Sequence, residues 1–572
     1  METSKHLDEN AKKIIDSMKM NIDGKLNLIV GVCQKIGLAE IFNKHVTKEL
    51  GRKPDIPYGI IAEMMIANII DGYHPLYKIN EYFKHKDIAG IFHHDMDISQ
   101  ITDDRCGDLL DATFEADGRI LLSEIALKAF ELYGIKINNI NFDTTSKILW
   151  GEYESPDSKL GQINITFGHS KQKRNDKKQL KMAIGCSNGV IVDAKVLSGN
   201  KDDKTYNNEN LTEVYDVLKS HNVDMNEFHY IADSSAFTED NLRKTIDEKG
   251  NIKIKIITKM TNTTNLSKGL IDKSIDNENR RKFTLNNGKQ NQSNYLLLDE
   301  NVDYKGIKLK SVTCYSEELL ELKTKTINRA VEKEKEKTEK RFNKYLSKTN
   351  YFKTEDAAVE VFKEIDDTLK LKYMRINARI EIVEVAKNGR PSAKHKEVNM
   401  ITKYILKYDL EELKDVIDVT IKKECTFILC TNNLILTGEE ILTEYKTQIT
   451  VEKKFQQIKS PQFINSIFLE NPSRVEALMY LLLISMMILS VMENAVRTGM
   501  KDKEEEILGP GKIKMKKPSL VAILGIFEYV AVKRFDINEI TYRMFLEELS
   551  YSQNVILEHL KLSEEIFLKG CY

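Results

Sequence analysis

The chain has 572 residues, several times the ~100–200 of an ordinary domain, so two to four domains around a large buried core are expected. Its 86 Lys and Arg against 87 Asp and Glu leave a net charge of -1, which excludes a uniformly basic or acidic coat and makes any nucleic-acid surface a local one. Nine prolines and 27 glycines in a chain that is 41% hydrophobic exclude extended disorder and fibrous repeats.

The opening stretch, METSKHLDENAKK, is polar and lacks the apolar centre of a signal peptide. From Leu26 to about Tyr133 apolar residues recur at helical spacing: Ile29, Val32, Cys33 and Ile36, then Ile60, Ile61, Met64, Met65 and Ile69, then Leu122, Ile125, Ala129 and Leu132. A helical N-terminal domain is predicted, with Gly134 as a C-terminal cap. The period then changes. INNINFDTTSKILWGEY, INITF, LKMAIGCS and VIVDAKVLSG read as strands, the last two joined by a hairpin at Asn188-Gly189. A helix over NENLTEVYDVLKS, a strand FHYIADSS, a helix near Glu239 to Glu248 and a strand IKIKIITK complete an α/β core of mixed sheet. Polar loops, candidate strands (NYLLLD, KLKSVTCY, YMRINARIEIVEVAK) and a charged helix from Glu317 to Tyr345 then read as an inserted α+β unit. CTFILCTN resumes the sheet pattern, and Thr437 and Glu440 have capping-box spacing. Helices are expected in the remainder, broken by the loop GPGKIKMKKPS. The uncharged run Ala477 to Met492 is shorter than the ~20 residues that span a bilayer, and is read as a buried helix.

The seven cysteines are scattered, with no C-x-x-C pair and no His at finger spacing, so a zinc module or disulfide framework is not expected and a reducing cytoplasm fits best. Three acids stand where a metal site could form: Asp143 within the first core strand, Asp233 at the end of a later strand, and Glu452 on a helix after the insertion. Strand ends and the start of a covering helix meet at one edge of an α/β sheet, so residues far apart in sequence can converge there. Taken singly, Asp143 and Asp233 read equally well as turn caps.

The combination resembles the DDE transposases of bacterial insertion sequences, in the group marked by a Tyr-Arg-Glu-Lys signature around the third acid. Here the signature is Tyr445, Gln448, Glu452 and Lys459, with Gln448 in the Arg position. NFDTTS, the SKQKRNDKKQ block, the SGNKDD block and IADSS also match, as do GYHPLYKINEYF and ITDDRCGDLLD in the N-terminal part. The resemblance implies an RNase H-like mixed-sheet core (136–260 and 423–500), a helical N-terminal domain that binds DNA ends (1–135), an insertion domain (261–422) and a C-terminal helical region (501–572). It implies that Asp143, Asp233 and Glu452 hold two Mg²⁺ ions, with Mn²⁺ able to substitute, and that the activity is cut-and-paste transposition: cleavage at the element ends and strand transfer into target DNA. The partners implied are double-stranded DNA and a second copy of the chain in the DNA complex; no membrane is involved and the location is the cytoplasm. An RNase H-like endonuclease without strand transfer, and a domesticated DNA-binding protein that no longer catalyses, are the alternatives.

Hard oxygen ligands suit Mg²⁺, and two such ions stabilise the entering and leaving oxygens of a phosphodiester. Tyr445, Gln448, Glu452, Phe455 and Lys459 fall at helical spacing, so one continuous helix would carry all five on one face; an amphipathic helix with Tyr445 and Phe455 in the core explains the same stripe. Lys459 is expected at a DNA phosphate, while Gln448 keeps hydrogen-bonding capacity without the charge of Arg. The run from Lys171 to Lys181, including Lys171, Lys173 and Arg174, is expected to contact phosphates in the context of the resemblance. The loop with Lys512, Lys514, Lys516 and Lys517 reads as solvated surface; Trp150, the only tryptophan, reads as a core strand residue, with stacking on an unpaired base as the alternative.

Overall fold

The computed structural model describes residues 9–46, 55–153, 162–171, 173–220, 224–286, 292–347, 350–386, 400–459, 467, 469–537 and 540–569. These form two compact units, Met1–Thr258 with Glu444–Tyr572, and Lys259–Thr443.

The first unit opens with a short strand β1 (Lys19–Asn21) and a set of helices that includes Gly24–Ile36, Tyr58–Ile70, Asp103–Glu115 and Gly118–Tyr133. Gly134 follows the last of them in the left-handed conformation, at φ 65°, and caps it as its lack of a side chain allows. Next come β2 (Asn139–Ile148), β3 (Gln179–Ser187), β4 (Val190–Ser198), β5 (His229–Ala232) and β6 (Lys255–Lys259). Their order is β4-β3-β2-β5-β6. β2, β3 and β4 are antiparallel, whereas β2, β5 and β6 are parallel. This is the mixed sheet expected from the strand patterns. The β3–β4 turn is the Asn188-Gly189 hairpin, both residues at positive φ. The helix Asp203–Ser220 connects β4 to β5.

The second unit has an antiparallel sheet of β7 (Arg281–Asn286), β8 (Gln292–Tyr304), β9 (Ile307–Ser316) and, beside β9, β12 (Thr426–Thr431). Between β9 and β12 lie the charged helix Leu320–Leu346, the helix Glu355–Thr368, and a two-stranded ribbon of β10 (Met374–Ala386) and β11 (Met400–Glu412). Phe342, Phe352, Ile365 and Leu406 form a small core of their own beneath the ribbon. The Thr437 and Glu440 capping box forms as read, with Glu440 Oε2 accepting from the Thr437 N–H at 2.8 Å.

Returning to the first unit, the helix Pro472–Asp502 runs through its centre, packed against β4 and the helices 58–70, 103–115 and 118–133. It is the one described helix long and apolar enough to cross a membrane by itself, and its most apolar window is wholly buried in protein. The chain after it differs from the helical expectation. β13 (Ile507–Leu508) pairs with β14 (Lys514–Met515), and β15 (Val532–Ile537) pairs with both β16 (Ile540–Phe545) and β1. The stretch INITF is likewise not a strand. Ile163 and Ile165 are buried, but only Thr166 bridges to Gln179, so the segment is a strap laid on the core. The six described cysteines are free and buried.

Candidate active site

Three polar residues, Asn139, Asn141 and Asp143, recur at every second position in the first half of β2 and therefore share one face, opposite Ile140 and Phe142. The first two reach the segment before Glu452: Asn139 Nδ2 donates to Glu444 Oε2 at 2.8 Å, and the Thr447 hydroxyl donates to Asn141 Oδ1 at 3.0 Å. These bonds link residues more than 300 positions apart and set the Glu452 helix, Ile449–Lys459, against β2 and β3. Neither asparagine was picked out as a site residue, although their alternation with Asp143 is visible in NINFD.

The third polar residue of that face, Asp143, is largely shielded, its side chain 20% exposed. Its Oδ1 accepts from the Thr144 N–H at 2.7 Å and from Lys171 Nζ at 2.8 Å. The same ammonium donates to the Thr144 carbonyl at 2.5 Å and lies 3.9 Å from Asp203 Oδ2. Asp203, in the SGNKDD block, is a third residue that the motifs do not mark; it also accepts from Thr144 Oγ1 and Lys181 Nζ. Burial pushes the Asp143 carboxyl up; Lys171 opposes the shift and the charge of Asp233 adds to it.

Asp233 stands at the corresponding point of the neighbouring strand. β2 and β5 are parallel with Phe142 opposite Ala232, so both acids follow the last paired residues. Its Oδ1 accepts from the N–H and the hydroxyl of Ser235, at 2.9 and 2.5 Å. Asp233 thus does cap a turn, as the modest reading held, while also facing Asp143.

Glu452 lies in the first turn of its helix and is exposed. The single helix expected to carry Tyr445 through Lys459 is in fact two: Gly438–Lys446 and Ile449–Lys459, with Thr447 and Gln448 in the turn between. The bond from Thr447 to Asn141 holds that turn. Phe455 is buried as expected, and Tyr445 is half-buried among the acids. Burial raises the Tyr445 phenol, and Asp233, Asp143 and Glu452 each raise it further, so the hydroxyl keeps its proton and remains a donor. The structure therefore brings Asp143, Asp233, Glu452, Tyr445 and Lys171 to one edge of the sheet. Lys173 and Arg174 lie on the exposed loop beyond Lys171, and Arg174 pairs with Asp176 at 2.9 Å. Gln448 sits in the turn; the Lys459 side chain lies outside the described residues.

The donors are hard oxygens, and an ammonium already stands at Asp143, so the site accommodates positive charge against that carboxylate. Among the described residues no three His, Cys, Asp or Glu side chains are drawn together closely enough to hold an ion. In donor chemistry the residues fit a divalent cation, with Asp143 and Asp233 nearest to forming its seat.

Residues 17–127 match the model of a family described as a domain of unknown function (DUF4277). No curated protein matches the chain. Among solved structures, a piggyBac transposase synaptic complex with hairpin DNA is similar with a TM-score of 0.36 and 10% identity, over 88% of this chain and 80% of that one. A Mos1 transposase paired-end complex with the left transposon end has a TM-score of 0.14 and 10% identity, over 35% of this chain and 58% of that one. At these values neither likeness fixes the fold or the chemistry, which rest on the residues themselves.

Proposed function

We propose that the protein is a DDE transposase with an RNase H-like core, which cuts DNA at the ends of its element and joins them to target DNA. The observation that carries this reading is the placement of Asp143 and Asp233 at corresponding points of two parallel strands, with Glu452 in the first turn of a helix packed on β2 and β3. The spacing of Tyr445, Glu452 and Lys459 in the sequence supports it, as does a sheet of three antiparallel strands followed by two parallel ones.

In this reading Asp143 and Asp233 hold a divalent ion, Mg²⁺ by the hardness of the oxygens, and Glu452 completes the set for a second. Such ions would stabilise charge on the entering and leaving oxygens of the phosphodiester. The chain's own groups do the rest. Lys171 holds the Asp143 carboxylate in place and offers a cation where a phosphate would approach, and Tyr445 presents a neutral hydroxyl as a hydrogen-bond donor. Lys173, Arg174 and Lys459 would contact the DNA backbone, whose phosphates dominate affinity. Residues 1–135 would recognise the element ends, two copies of the chain would pair them, and the cytoplasm is the place of action.

Purified protein on a supercoiled plasmid carrying the gene's native flanking DNA tests this, with Mg²⁺ or EDTA, beside Asp143→Asn and Glu452→Gln. Cuts at the element boundaries that need Mg²⁺ and both acids, followed by joined products, are expected. Scattered nicks would replace the reading with a nuclease, and tight binding without cutting in Mg²⁺ or Mn²⁺ would remove catalysis altogether.

A further inference from the structure

The only tryptophan of the chain is not in the core. β2 ends at Ile148, and after the bond from the Leu149 N–H to the Lys178 carbonyl at 3.0 Å no sheet remains to cover the next residue. Trp150 is 63% exposed. Beside it Phe167 is 55% exposed, and the two aromatics line an open cleft of about 610 Å³ with Tyr153, Lys177 and Lys178. The Lys177 ammonium lies 4.5 Å from the centre of the Trp150 ring, and the Arg174 guanidinium 5.7 Å. Asp176, which also lines the cleft, is held by Arg174. The cleft carries Glu152 as a further acid, against Arg174 at the Trp150 ring and Lys177 and Lys178 in its lining.

The cation–π contacts at this exposed ring stabilise far less than burying the two aromatics would. Aromatic faces flanked by Lys and Arg do suit one ligand chemistry, the base and phosphate of an unpaired nucleotide: the base stacks, and the cations meet the backbone. A paired base offers no free face, so duplex DNA cannot use the rings. Along β2 the platform stands about 20 Å from Asp143, at 3.3 Å per residue, and is a separate site from the three acids.

We propose that Trp150 and Phe167, with Arg174, Lys177 and Lys178 at their margin, form a stacking site for an unpaired base of single-stranded DNA. It goes beyond the cleavage reading and needs no metal, so it is tested in EDTA, where that reading plays no part.

Trp150 being the sole tryptophan, its fluorescence, excited beyond tyrosine absorption, reports on this site alone. The intact protein is titrated with a short oligothymidylate, with an abasic oligomer of equal length, and with a duplex. Saturable quenching by the oligothymidylate alone is expected. Anisotropy of a labelled oligothymidylate should show about five- to 150-fold weaker binding for Trp150→Ala and near-complete rescue by Trp150→Phe. Because Trp150 is exposed, both variants should keep the far-ultraviolet dichroism of the parent. Equal binding of the abasic oligomer would reduce the site to phosphate attraction and overturn the proposal. So would quenching by the duplex alone, or a change of fluorescence on dilution without DNA, which would assign the platform to a second copy of the chain.

Discussion

Glu476 gives the sharpest quantitative test of the structure. It lies in the first turns of the central helix, and its Oε2 accepts from the Ile163 N–H at 3.2 Å, pinning the strap that leads to Lys171. Burial pushes its carboxyl from 4.5 to about 7, aided by Asp117 and opposed by the Ile163 bond. The folded state therefore binds this proton more tightly than the unfolded chain does. The resulting stabilisation is complete below pH 4.5 and is lost as the pH rises through about 7. At 1.36 kcal/mol for each pH unit, the interval from 4.5 to about 7 corresponds to about 3 kcal/mol. Glutamine keeps the acceptor for Ile163 but cannot ionise. Glu476→Gln should therefore gain on the parent by about 3 kcal/mol between about pH 4 and about pH 9, most of it between about 5 and 7. Urea denaturation of both proteins across that range measures the difference, and subtraction removes every other titrating group. A difference that stays constant with pH would refute the reasoning.

Three further outcomes follow from the site. Lys171→Met removes the ammonium that a divalent ion at Asp143 must displace, and since a hydrogen bond to a charged group contributes about 1.5–3 kcal/mol, Mg²⁺ should bind about ten- to 100-fold more tightly. The shift of thermal midpoint with Mg²⁺ concentration checks this, and equal shifts in parent and variant would remove the ion from Asp143. Thr447→Val breaks the bond to Asn141; a loss of about 1 kcal/mol in urea is expected. Cleavage should fall far more, up to about 100-fold, because Glu452 is displaced. Gly185 lies opposite Phe142, whose ring stands 2.6 Å from where a Cβ would be, and Gly185→Ala should cost about 1–3 kcal/mol in urea by pushing on the strand that carries Asp143.

Much of the first unit was legible because it depends on local patterns. The helices before Gly134, the Asn188-Gly189 hairpin and the strands around Asp143 and Asp233 follow from hydrophobic period and turn chemistry alone. What was not legible depends on partners far away in the chain. VKRFDINEITYRMF alternates as strands do, but β15 also pairs with residues 19–21, over 500 positions earlier. The five-residue stripe from Tyr445 to Lys459 has helical spacing throughout, yet the chain turns at Thr447, whose hydroxyl lies within hydrogen-bond distance of both the Glu444 carbonyl and Asn141. INITF has strand alternation and buries Ile163 and Ile165, but the ladder stops at one bridge. Trp150 was misplaced for a related reason: strand composition continues past the point where the sheet ends.

The near-zero net charge acquires meaning from this arrangement. Asp143, Asp203 and Asp233 gather negative charge at one edge of the sheet, and Lys171 and Lys181 neutralise part of it directly. From Lys171 the loop carries further cations outward to Trp150. A DNA strand approaching bare carboxylates would be repelled, because each acid carries the same sign as the phosphates. Placing the cation that touches Asp143 on the loop that carries the other basic residues couples the two. A phosphate that draws Lys171 outward frees an Asp143 oxygen, and an ion that takes that oxygen releases Lys171 toward the phosphate. On the function proposed above, metal and DNA should therefore favour each other's binding at this edge through one lysine.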